Sequence, residues 1–173
     1  METKKEKKVS VMKDRIVDES INSLKKEGLK FSVDMLAERL KVSKKTIYKY
    51  FPDKEALACA MYEKYYAVLN DKIDGVIRSD DDSRSLKLLE YYFDSAGMVR
   101  PKIFNKYSLN GVIGEQAKKC HSDVWQKIKP LLCAEMTEEE ADIFRLIVDS
   151  AAEKAEESDT ETKNIVRMLM KLL

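Results

Sequence analysis

The side chains best suited to chemistry lie close together, between Ser43 and Lys54. Lys44, Lys45 and Lys49 alternate with Thr46, Tyr48 and Tyr50. Ammonium and hydroxyl groups interleaved on a short stretch make a set of donors for phosphate oxygens and base edges. Elsewhere the chain offers no reacting set. It has one histidine, His121, and three cysteines, Cys59, Cys120 and Cys133, without metal-ligand spacing. No nucleophile elbow and no phosphate-binding glycine loop occur. The expectation is therefore no catalytic residue, no metal and no cofactor, with His121 at the surface near a helix start.

The elements that must position these residues read as helices. Gly (5) and Pro (3) are scarce among 173 residues, so long unbroken elements are expected. A first helix is predicted over about 11–27, with Ile16, Val17, Ser20, Ile21 and Leu24 at helical spacing and Gly28 placed to stop it. Ser32 is a good N-cap for a second helix, whose Val33, Leu36, Ala37 and Leu40 face inward. Ser43 caps a third, with Ile47, Tyr50 and Phe51 as its stripe. Val42 and Ile47 are spaced as a hydrophobic staple. Pro52 ends that helix, and Asp53 caps a fourth running to about Ile77.

An acidic break, 79–83, separates these elements from a second helical region. Helices are expected there over about 85–96, 101–110 and 115–132. Thr137 and Glu140 form a capping box opening a helix to about Glu157, and Thr160 is placed to cap the last one. The organisation expected is a basic disordered tail over 1–10, a DNA-binding unit over 11–53, a connecting helix over 54–78 and a second helical domain over 79–173.

Charge divides along the same line. Residues 1–54 carry 15 Lys and Arg against 9 Asp and Glu, whereas the remainder carries 17 against 22. A basic head on an acidic body suits contact with a polyanion. The odd cysteine count and the polar start, without an apolar leader, point to reduced thiols in a cytoplasm. No apolar run approaches the roughly 20 residues of a membrane span.

Two short helices joined by a three-residue turn, the second basic on its outer face, fit a helix-turn-helix. Over about Arg15–Tyr65, and most of all over Ser43–Leu57, the sequence resembles the TetR family of bacterial regulators. The resemblance rests on Thr46, Ile47, Tyr48, Tyr50 and Phe51, followed by Lys54, Glu55 and Leu57. It implies an all-α protein in which a three-helix helix-turn-helix domain precedes a C-terminal helical effector and dimerisation domain. Thr46 and Tyr48 would then meet phosphates, and Lys44 and Lys45 would read base edges. Tyr50 would touch phosphate or serve as core. Lys49 would face solvent or a distant phosphate. Lys54 and Ser32 would sit at helix N-termini that accept phosphate, and Ser43 would cap its helix and touch DNA. Two departures stand out: Lys41 occupies the turn where the family often has Gly, and Asp34 lies where some relatives carry a basic side chain.

For the second region the resemblance implies a twofold dimer built from the last two helices, as a four-helix bundle. Phe144, Ile147, Val148, Ala151, Ile165, Val166, Leu169 and Leu172 are the expected interface. Tyr62, Tyr66, Tyr91, Tyr92, Phe93, Phe104, Tyr107 and Trp125 are candidates to line a pocket for an apolar or aromatic effector, with plain core as the alternative. The implied partner is a double-stranded DNA operator, and the implied action is a repressor released by that effector. The other reading is a DNA-binding regulator controlled by a protein partner, with no small-molecule pocket.

Overall fold

A computed structural model describes residues 4–27, 32–99, 111–155 and 161–173, and these are α-helical with no strand among them. The helices are α1 (Lys4–Glu27), α2 (Val33–Leu40), α3 (Lys44–Tyr50), α4 (Lys54–Ile77), α5 (Arg84–Ala96), α6 (Gly111–Leu132), α7 (Glu138–Ala155) and α8 (Thr162–Leu169). Short 3-10 turns follow α5 and α8. The expected helix over 101–110, the stop at Gly28 and the cap at Thr160 lie outside the described residues.

The first helix departs from expectation at its start. It begins at Lys4, ahead of Val11, so the stretch expected as a disordered tail is helical from there on. Lys and Glu are strong helix formers, and no Gly or Pro interrupts the segment. Composition that suits a solvated tail also suits the exposed end of a helix.

α1 packs on α2 and on α4, and α3 packs on α2, around Ile16, Val17, Val33, Leu36, Ala37, Ile47, Phe51, Leu57 and Met61, all buried. Polar ties fix α1 in place. Arg39 donates to Ser23 Oγ at 2.8 Å, tying α2 to α1. Lys64 of α4 reaches Asp14 at 3.2 Å and Asp18 at 2.9 Å. The Lys13 ammonium lies 5.9 Å from the centre of the Phe51 ring at the end of α3.

From Tyr62 onward α4 carries Tyr62, Tyr66, Leu69 and Ile73 into a core shared with α5, α6, α7 and α8. Leu88, Leu89, Trp125, Ile128 and Val148 are completely enclosed or nearly so. One buried cluster therefore runs the length of α4, and that helix joins the two halves mechanically.

His121 is corrected. It lies in the middle of α6 and is 6% exposed. Its Nδ1 is 2.7 Å from Ser95 Oγ, its Nε2 is 3.2 Å from Asp149 Oδ1, and its ring stacks on Tyr92. Asp149 also accepts from the Tyr92 hydroxyl at 2.8 Å, so α5, α6 and α7 share one polar knot. Burial pushes the Asp149 carboxyl up, but the bonds from His121 and Tyr92 outweigh it and hold the group below its usual range. Ser95 is fully enclosed, so this Ser–His–Asp arrangement is a strut without access for a substrate.

Candidate nucleic-acid interface

The recognition element is built from caps inward. The Ser43 side chain accepts from the Thr46 N–H at 3.1 Å and pairs with the Thr46 hydroxyl at 2.9 Å. The cap leaves Lys44, Lys45, Tyr48 and Lys49 exposed while Ile47 is buried beneath them. Phe51 closes the helix with its N–H on the Ile47 carbonyl at 2.9 Å, and Pro52 follows. Tyr50 is half-buried against the core, as Thr46 and Ser32 are half-buried at their helix ends. Ser32 accepts from the Met35 N–H at 3.3 Å, and Asp53 accepts from the Ala56 N–H at 2.7 Å. Lys54, the first residue of α4, is exposed.

The α2–α3 turn settles the angle between these helices. Lys41 adopts a left-handed conformation, φ 54° and ψ 45°. Its N–H bonds the Glu38 carbonyl at 3.0 Å, and the Val42 N–H bonds the Ala37 carbonyl at 2.9 Å. This is a Schellman ending with Lys where Gly is the usual choice. Lys41 is also the residue other than glycine with positive φ among those described.

A shallow concavity of about 490 Å³ on the outer side of α3 is lined by Ser43, Lys45, Thr46, Tyr48 and Lys49. Five of the nine candidates thus share one surface. Lys45, Lys49 and Lys54 are exposed. Lys44 is paired with Asp34 of α2. Sequence reasoning missed that pair. The available signal was a carboxylate at the start of α2 and an ammonium at the start of α3, two helix N-termini that a short turn brings together.

The expected effector residues separate. Tyr62, Tyr66, Tyr92, Phe93 and Trp125 are each at most 4% exposed and pack into the core. Tyr92 and Trp125 rings stand 5.1 Å apart, and Tyr62 donates to the Met98 carbonyl at 2.8 Å. The Tyr66 hydroxyl is buried with no hydrogen-bond partner among the described residues. Tyr91 lies elsewhere, in a half-open groove of about 190 Å³ between α1, α4 and α5 that Lys64, Tyr65, Lys72 and Asp94 also line. Phe104 and Tyr107 lie outside the described residues.

The expected interface residues divide as well. Phe144, Val148, Val166 and Leu169 are buried within the protomer, so they belong to its own core and not to an outer face. Ala151 and Ile165 are half-buried, and Ile147 and Leu172 are exposed. The reason lies in α7, whose apolar residues form two faces. One, with Ala141, Phe144, Val148 and Ala152, turns inward. The other, with Ile143, Leu146 and Ile147, is 41–66% exposed. Leu172 and Leu173, at the chain's end, line one groove with Ile143 and Ile147, and both are at least 41% exposed. No helix among the described residues is long and apolar enough to cross a membrane.

Comparison with known proteins agrees with the geometry of the first half. Residues 16–61 match the family described as bacterial regulatory proteins, tetR family. An uncharacterized HTH-type transcriptional regulator of Bacillus subtilis, YvaF, is 29% identical over 114 residues, which is 66% of this chain and 56% of that protein. The match thus spans little more than half the length of that relative. The matched residues run from the core of α1 through the capped turn and the exposed α3 into α4, where the sequence motif and the three-helix packing coincide. Over residues 16–61 the chain is thus similar to the N-terminal domain of bacterial regulatory proteins of the tetR family.

Proposed function

We propose that the protein is a DNA-binding transcriptional regulator that acts as a homodimeric repressor and leaves its operator when a small molecule binds the second domain. The observation that carries DNA binding is the exposed face of α3, with Lys45, Lys49, Tyr48 and Thr46 around one concavity. Ser43 lines the same concavity, and Ser32, Lys44, Tyr50 and Lys54 are the further contacts of this reading. A short helix of this kind fits a major groove, with its N-terminal side chains at the base edges.

A single α3 covers only a half-site, so two copies supply the length a sequence-specific regulator requires. The unpartnered apolar face of α7 and the chain's end supports the dimer, since an exposed patch of this kind is characteristic of protein contacts. The Tyr66 hydroxyl supports the effector. A buried hydroxyl left unpaired costs about 1–3 kcal/mol, which an acceptor on a ligand would offset. A hundredfold change in DNA affinity requires only about 2.7 kcal/mol of coupling. α4 suits that coupling, because it carries both the core of the recognition unit and Tyr66.

Control by a protein partner is the second reading. The close packing of Tyr92, Phe93 and Trp125 favours it, because these rings already fill the space a ligand would take.

The test of DNA binding is a titration of the purified chain against duplex DNA at several salt concentrations. Lys45, Lys49 and Lys54 on two protomers should give a slope of log affinity against log salt of about −5. Affinity that does not respond to salt refutes the proposal.

A further inference from the structure

Lys44 is the first residue of α3, behind the Ser43 cap, and Asp34 is the second residue of α2, behind the Ser32 cap. The turn brings these two helix starts together, and the Lys44 ammonium rests on the Asp34 carboxylate. Both side chains remain largely exposed, 52% and 67%. The pair therefore sits on the surface that faces DNA and not beneath it. A helix N-terminus favours an anion through its peptide dipoles. Asp34 is an anion already in that place, where a phosphate would otherwise be attracted.

Resting on the DNA-binding reading above, we infer that Asp34 is a resident competitor for phosphate, which holds the Lys44 ammonium and suppresses sequence-independent attraction to DNA. Lys44 has three N–H donors and no acceptor. A phosphate oxygen that approaches it must displace the Asp34 carboxylate or share the ammonium with it. In either case a second negative charge remains close to the phosphate. Lys45 and Lys49 impose no such requirement and release only counterions when they meet the backbone. Asp34 is thus a positioning residue that acts through Lys44. An exposed ion pair adds little to folding stability, so its removal is read in binding and not in the fold.

The experiment uses the full chain and a fluorescent random-sequence duplex of roughly 30 base pairs, followed by anisotropy over a range of salt. Wild type, D34N, K44A and the double variant form a cycle. D34N should bind about 3–10-fold more tightly near physiological salt, with a slope steeper by about 0.9 for each protomer on the DNA. In the K44A background D34N should change affinity by less than about twofold. Urea melts should place D34N within about 1 kcal/mol of wild type, the loss expected for one exposed charge at a helix N-terminus. Equal gains in both backgrounds would show that Asp34 acts only as bulk charge and would overturn the inference. An unchanged D34N in the wild-type background would overturn it as well, while leaving DNA binding standing. Failure of the wild type itself to bind the duplex would remove the DNA-binding reading and this inference with it.

Discussion

Replacing Lys41 by glycine should stabilise the protein, and the size of the gain follows from its backbone angles. At φ 54° and ψ 45° an L side chain crowds the following carbonyl, at a cost of about 1–2 kcal/mol. Glycine removes that crowding, but it gives the unfolded chain more freedom, which takes back about 0.4–1 kcal/mol. The Lys41 ammonium at the end of α2 also favours the helix dipole, by about 0.3 kcal/mol at an exposed site. The net gain expected for K41G is about 0.5 kcal/mol. K41A separates the contributions, since it loses the charge and keeps the strain, and should fall slightly below wild type. K41G should therefore exceed K41A by about 1 kcal/mol. Urea denaturation at one fixed protein concentration measures this, because association would otherwise shift the midpoint. The slopes should be equal and the midpoints displaced. A K41G no more stable than K41A would mean that the turn carries no left-handed strain, and the argument would fail.

Two further outcomes concern the second half of the molecule. Tyr66→Phe deletes a buried hydroxyl that has no partner among the described residues, so thermal stability should rise by about 1 kcal/mol, seen as roughly 2–4 °C; a loss of similar size would show that the hydroxyl is satisfied. Leu146→Asp places a charge on the most exposed apolar residue of α7 and should convert a dimer to monomer in sedimentation, with helicity retained; a wild type that sediments as monomer would remove the dimer from the proposal.

Much of the first half was legible in the sequence because its determinants are local. Ser32, Ser43 and Asp53 cap their helices through residues three positions on. Pro52 ends α3 for a reason confined to its neighbours. At the turn, the resemblance marked Lys41 as the position where Gly is frequent, and it is this residue that is left-handed. The motif from Ser43 to Leu57 then carried both the fold of this unit and its candidate contacts. Even here the start of α1 was misread, because charged residues of high helix propensity look the same in a tail and in an exposed helix.

What only the tertiary structure decided is which face of each helix meets which neighbour. The apolar residues of α7 follow helical spacing, yet that spacing supports two faces. Packing against Trp125 of α6 draws Phe144 inward, with ring centres 6.3 Å apart, and leaves Ile143 and Leu146 outside. His121 looked like a surface residue until Ser95, 26 positions away, and Asp149, 28 positions away, closed on its ring. Asp34 gained its meaning when a turn set two helix starts against each other. Caps and periodicities act over three or four residues and can be read along a chain, whereas a partner far away in sequence is chosen by the shape of the whole core.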